Sequence, residues 1–101
     1  MGIRELQADE KVIFTEPNGA ILFHIPEHCA GCKRAINHLK MKSLTGWDIV
    51  LVDAEDTKFN YLVEKHNVAI TPTIIVYENG QVTNKLAGLK SYLDNNSIFG
   101  V

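Results

Sequence analysis

Ala20-Ile21-Leu22-Phe23-His24-Ile25-Pro26-Glu27-His28-Cys29-Ala30-Gly31-Cys32-Lys33 is the stretch whose reading decides the fold. It opens with a nearly continuous apolar run of strand length, Ala20 to Ile25, ended by Pro26 and interrupted only by His24. An apolar run without alternation reads as a central strand covered on both faces. From Ala30 to about Lys42 the pattern changes. Cys32, Ala35, Ile36 and Leu39 recur at i, i+3, i+4 and i+7, while Lys33, Arg34, Asn37, His38 and Lys40 take the other side, so an amphipathic helix starts at the cysteines. Thr45-Gly46 breaks it, and Trp47–Asp53 reads as a second buried strand. Strand, helix and strand make a βαβ crossover, which sets the two strands parallel.

Toward the N-terminus, residues 4–10 read as a short helix, Val12-Ile13-Phe14 as a brief strand and Asn18-Gly19 as a turn. Toward the C-terminus, Asp56 or Thr57 caps a helix on which Phe59, Leu62, Val63 and His66 repeat the helical spacing. Asn67 suits its left-handed stop. Thr73–Tyr77 and Gln81–Leu86 flank Asn79-Gly80, a strong signal for a two-residue hairpin and hence for antiparallel pairing. A last helix, Leu89–Asn96, buries Leu89, Tyr92 and Leu93, and leaves Ile98-Phe99-Gly100-Val101 as an unassigned tail. The expected fold class is α/β: βαβ, then a helix, then ββα, with a central mixed β-sheet flanked by helices. No repeat or linker interrupts residues 1–101, which read as one domain.

A chain of 101 residues, 46% hydrophobic, is long enough to close a core without disulfide staples or a structural metal, which leaves its cysteines free for chemistry. A net charge of −2 offers no broad basic surface, so neither nucleic acid nor an anionic membrane is an expected partner. No apolar run serves as a signal peptide or spans a bilayer, and Leu6 departs from the Ser or Thr of a myristoylation signal. A cytoplasmic location is expected, where a close cysteine pair is catalytic or metal-binding rather than a staple.

Cys29 stands where strand gives way to helix. Unpaired backbone N–H groups and the positive end of the helix dipole lower a thiol pKa there, and the thiolate is the reactive form. Cys32, one helical turn on, is within reach for a disulfide. The expected chemistry is dithiol exchange: Cys29 attacks a substrate disulfide, and Cys32 resolves the mixed disulfide. A structural zinc site needs four ligands, and the usual second Cys-x-x-Cys or His-x-x-x-His is missing; His28 adjoins the pair without a fourth partner. No metal or other cofactor is expected beyond the Cys29–Cys32 redox couple.

From about Gly19 to Asn96 the chain resembles the thioredoxin family. The resemblance is carried by the apolar strand leading into Cys29-Ala30-Gly31-Cys32-Lys33, by Ile70-Thr71-Pro72-Thr73, by the Glu78-Asn79-Gly80-Gln81-Val82 hairpin, and by Leu86-Ala87-Gly88 before a final helix. It implies the thioredoxin fold. It also implies a cis Thr71–Pro72 bond facing the cysteines, a Thr71 backbone offered to an extended substrate segment, and room left by Gly88 on the same groove. With His28, Ala30 and Gly31, these residues make up the expected substrate-binding rim.

The chain departs from that family where tuning is set. His28 replaces the usual aromatic residue before the first cysteine, and Ala30-Gly31 replaces Gly-Pro, which loosens the first helical turn. An ungapped alignment places Phe23 at the family's buried aspartate. His24, one position on and pointing to the opposite face, is a candidate base if the register slips. A protonated His28 favours the Cys29 thiolate, the alternative being a solvated ring that only replaces a flat one on the groove rim; Lys33 and Arg34 read as the exposed helix face, with support of the thiolate as the alternative. Of the remaining polar and aromatic residues, His38 falls on the solvated helix face and His66 on the buried one, while Trp47 reads as packing.

The function expected from these readings is reduction of protein disulfides by a monomeric electron carrier, recharged by a thioredoxin reductase or by glutathione. The alternatives are a thioredoxin-fold binding module and a glutaredoxin-like donor dedicated to one reductase.

Overall fold

The computed structural model describes residues 2–100; Met1 and the tail residue Val101 lie outside the described residues. The elements are β1 (Gly2–Glu5), β2 (Asn18–His24), α1 (Ala30–Lys40), β3 (Trp47–Asp53), α2 (Asn60–Lys65), β4 (Thr73–Glu78), β5 (Gln81–Ala87) and α3 (Leu89–Asn95). A 3-10 turn, Thr57–Phe59, leads into α2, and another, Asn96–Phe99, follows α3. The strands form one sheet in the order β1-β3-β2-β4-β5. β1 and β2 run parallel to β3, whereas β4 runs antiparallel to β2 and to β5, so the sheet is mixed as expected.

β2 lies at the centre, buried along nearly its whole length, because its apolar residues serve both sheet faces. Ala20 and Leu22 pack with Ala35, Ile36 and Leu39 of α1 and with Tyr92 of α3. Ile21 and Phe23 point the other way, to Phe59 and Leu62. α1 therefore covers one face of the sheet and α2 the other. The Asn79-Gly80 hairpin has the expected pair of positive φ values, 50° and 82°, and Asn67 stops α2 at φ 51°.

The N-terminal readings are corrected. Residues 4–10 form no helix: Gly2–Glu5 is strand β1, with Ile3 opposite Ile49, and the chain after it is irregular. Cross-strand pairing at the sheet edge overrides a weak local helix preference. The irregular segment is held by side chains. Arg4 pairs with Glu10 at 2.8 Å, and Asp48 accepts from the Thr15 amide at 3.0 Å. Burial would raise the Asp48 carboxyl, but the Thr15 amide and Arg4 outweigh it and hold it below the usual carboxylate range. Val12-Ile13-Phe14 is not a strand; Phe14 packs on Tyr77 with ring centres 5.1 Å apart. Asn18-Gly19 is not a turn but the start of β2, paired with β3 and β4 on its two sides. A side chain at Gly19 would overlap the Phe14 ring.

At the C-terminus the unassigned tail is part of the core. Phe99 is 2% exposed, and its ring centre lies 4.7 Å from that of Trp47, which is packing as expected. His38 is half-buried rather than solvated, with Nδ1 2.7 Å from the Tyr92 hydroxyl. Burial pushes that hydroxyl up to about 12. His66 is buried as expected, its Nε2 2.9 Å from the Tyr77 hydroxyl.

Candidate functional site

α1 begins directly at the cysteines. Cys29 is its N-cap, in extended geometry (φ −132°, ψ 96°), and its Sγ accepts from the Cys32 amide at 3.1 Å. The first turn carries no acidic residue to offset the positive end of the dipole, and Lys33 and Arg34 stand exposed just beyond. Negative charge on Cys29 Sγ is therefore favoured. Cys29 and Cys32 are joined in a disulfide, with Cα atoms 5.2 Å apart. The two cysteines differ in environment: Cys29 is partly exposed, whereas Cys32, on the helix face turned to the sheet, is 1% exposed.

The segment before β4 meets the pair from the side. The Thr71–Pro72 bond is cis, and Thr71 Oγ1 donates to Cys29 Sγ at 3.5 Å. The Gly88 amide donates to the Pro72 carbonyl at 2.8 Å, which ties the end of β5 to the start of β4. A Cβ placed on Gly31 would touch Pro72 and Leu89 at 3.5 and 3.6 Å, so Gly31 packs directly against that segment. Gly88 has φ +95°, and a Cβ there would lie 3.2 Å from Ile70 Cδ1. Thr71, Pro72, Gly31 and Gly88 are thus brought together around Cys29, with Ala30 exposed beside them.

His28 is exposed and lines a shallow notch with Glu27, Asp53 and Glu55. His24 lies elsewhere. It is buried at the end of β2, on the face opposite Phe23, with Nε2 3.2 Å from Glu5 Oε2. Sequence reading missed Ile70 and Glu5. Ile70 is a half-exposed apolar side chain on the Thr71 side of the groove, and its place directly before Thr71-Pro72 was a usable signal. Glu5 escaped because its segment reads as helix. Among the described residues, no group of three or more His, Cys, Asp or Glu is placed to hold a metal ion. No described helix is long and apolar enough to cross a membrane.

No family model matches the sequence, and no curated protein matches it. Solved structures do. Plasmodium falciparum thioredoxin is 26% identical over 83% of this chain and 81% of its own, with a TM-score of 0.67. Mitochondrial thioredoxin 3 of Saccharomyces cerevisiae, in its oxidised form, gives a TM-score of 0.69 at 19% identity, over 86% of this chain and 81% of its own. Thioredoxin f of spinach chloroplast gives 0.74 at 13% identity, over 96% and 84%. The chain therefore has the thioredoxin fold, with Cys29 and Cys32 as a close cysteine pair at the start of a helix.

Proposed function

We propose that this chain is a thiol–disulfide oxidoreductase that reduces protein disulfides by dithiol exchange through Cys29 and Cys32. The observation that carries the reading is the asymmetric pair itself: a partly exposed N-cap sulfur held at a helix N-terminus, disulfide-bonded to a buried partner one turn on. In the reduced protein the Cys29 thiolate attacks a substrate disulfide. One substrate sulfur leaves reduced, and the other stays bonded to Cys29. The Cys32 thiolate then attacks Cys29 Sγ, forms the Cys29–Cys32 disulfide and releases the second substrate thiol. The disulfide is the redox group, and no metal or cofactor enters the cycle.

His28, Ala30, Gly31, Thr71, Pro72 and Gly88 line the approach to Cys29 in this reading and bind an extended segment of the substrate. The electrons come from a thioredoxin reductase or from glutathione, and the protein works in the cytosol as a monomer. Insulin reduction with each electron source in turn tests the activity. A Cys32→Ser variant is expected to stall as a covalent complex with disulfide-containing proteins, and a Cys29→Ser variant to form none. Absence of insulin reduction with both sources, together with no trapped complex, would refute the reading and favour a binding module.

A further inference from the structure

Cys32 is 1% exposed, so the proton it loses before attacking the mixed disulfide has no direct path to water. β2 ends at His24, and strand alternation puts this side chain on the face of Ala20 and Leu22, which α1 covers. α1 runs antiparallel to β2. Its last buried residue, Leu39, packs with Leu44 and Trp47 at the start of β3, so its first turn, with Cys32 facing the sheet, lies over the opposite end, where His24 stands.

The imidazole is 6% exposed, and its Nε2 forms no aligned hydrogen bond with any described residue. A buried ring nitrogen without an aligned hydrogen bond costs stability, which calls for a chemical explanation. Glu5 Oε2 lies 3.2 Å from it, on a side chain that is 51% exposed. The ionisable groups on this face are few. β1 contributes Glu5; β3 contributes Asp53, in register with His24 and already accepting from the Glu55 amide at 2.9 Å; α1 contributes Cys32 and His38, its Lys33 and Arg34 being exposed; and α3 contributes Tyr92, whose hydroxyl is engaged with His38 Nδ1 at 2.7 Å. One end of this array is a buried thiol and the other a carboxylate in water.

We propose that His24 and Glu5 form a proton relay for Cys32, a reading that rests on Cys32 acting as the resolving thiol. As Cys32 Sγ bonds to Cys29 Sγ, the bond from Cys29 to the substrate sulfur breaks, and both cysteines end oxidised. The substrate sulfur departs with the electron pair and is protonated from water. The Cys32 proton passes to His24, and Glu5 hands it to solvent. Reduction of the Cys29–Cys32 disulfide runs the relay in reverse. β1, which the local sequence signal disguises as helix, belongs to the site because it delivers Glu5.

The test uses the reduced full chain mixed rapidly with a chromogenic aromatic disulfide. Release of the first aromatic thiol reports attack by Cys29, and release of the second reports its displacement by Cys32. In His24→Gln the first phase is expected to stay within about twofold of the parent. The second should slow roughly tenfold or more near neutral pH, with the gap closing in alkali, where hydroxide takes the proton. Glu5→Gln, at a half-exposed position that does not threaten folding, should slow the second phase by roughly threefold over the same range. Second-phase pH profiles that superimpose on the parent's in both variants would overturn the relay. Equal slowing of both phases at every pH would also overturn it, by assigning His24 to packing. A parent with no second phase refutes the dithiol reading beneath it instead.

Discussion

Gly88→Ala separates backbone strain from steric crowding at the groove. Gly88 has φ 95° and ψ 159°, a region that residues with a Cβ occupy at a cost of about 1–3 kcal/mol. The added methyl would also sit 3.2 Å from Ile70 Cδ1, but that atom ends a flexible, half-exposed side chain and can yield. The backbone contribution should dominate. Unfolding entropy of about 2 cal/mol/K per residue gives about 0.2 kcal/mol/K for a chain this long, hence about 5 °C per kcal/mol and a fall in Tm of roughly 5–15 °C. The Gly88 amide holds the Pro72 carbonyl at 2.8 Å, so relaxation at Gly88 moves the segment that carries Thr71 toward or away from Cys29. A loss of roughly tenfold in kcat/KM for disulfide reduction should accompany the lower Tm.

Two further variants complete the experiment, read by thermal melts of the oxidised protein and by insulin turnover. Gly46→Ala, at φ 80° with no atom within 4 Å of the added Cβ, should lose stability through its backbone alone and keep its turnover. Ile70→Ala combined with Gly88→Ala should recover little of the lost stability. The reasoning fails if Gly88→Ala costs under about 0.5 kcal/mol, the scale of an ordinary surface substitution. It fails equally if Ile70→Ala restores the parent Tm.

Phe99→Ala removes a ring that packs on Trp47 and Tyr92, and urea titration should show a loss of about 3–5 kcal/mol; a loss under about 1 kcal/mol would mean the C-terminal turn is not core. Burial, followed by the nearby Lys65 and Lys85, holds the His66 imidazole below its usual value of 6.5. The unfolded chain then binds more protons than the folded one as pH falls through 6.5. The stability His66 contributes is complete above that pH and is lost below it, toward the folded-state value. Urea midpoints measured at about pH 8 and pH 5 should fall in the parent and fall less in His66→Gln; equal slopes would remove His66 from the acid response.

How much of this was legible follows from where the signals are local. The β2–α1–β3 unit was readable because an unbroken apolar run and a helical repeat each span enough residues to fix an element by themselves. The hairpin was readable because Asn79-Gly80 suits two successive positive φ values. β1 was not, since its few residues carry no alternation of their own and are extended only because β3 offers an edge. The tail was not, since Phe99 acquires a partner only when Trp47, far off in sequence, is brought to it. At the site, Thr71, Pro72 and Gly88 were found through the resemblance and are brought to Cys29 by long-range pairing, as the 2.8 Å bond between Gly88 and Pro72 illustrates. Glu5 was lost with β1.

One helical turn separates the two cysteines and gives them different neighbours, which divides the proposed reaction between two faces of the protein. Cys29 caps the helix at the surface, where Thr71 and the segment held by Gly88 meet it, so changes along that rim act on the encounter with substrate. Cys32 is turned inward onto the sheet face that carries His24, so changes at His24 or Glu5 act on release of the mixed disulfide. The departures from ordinary thioredoxin residues fall on both sides of this division. His28 and Ala30-Gly31 lie on the outer side, His24 lies on the sheet face that α1 covers, and Phe23 points to the opposite face, against Phe59 and Leu62. Substitution of His28 by an aromatic residue should therefore change which substrates react with Cys29 and leave the pH dependence of the second step in place, because His28 is exposed on the outer side whereas Cys32 is buried.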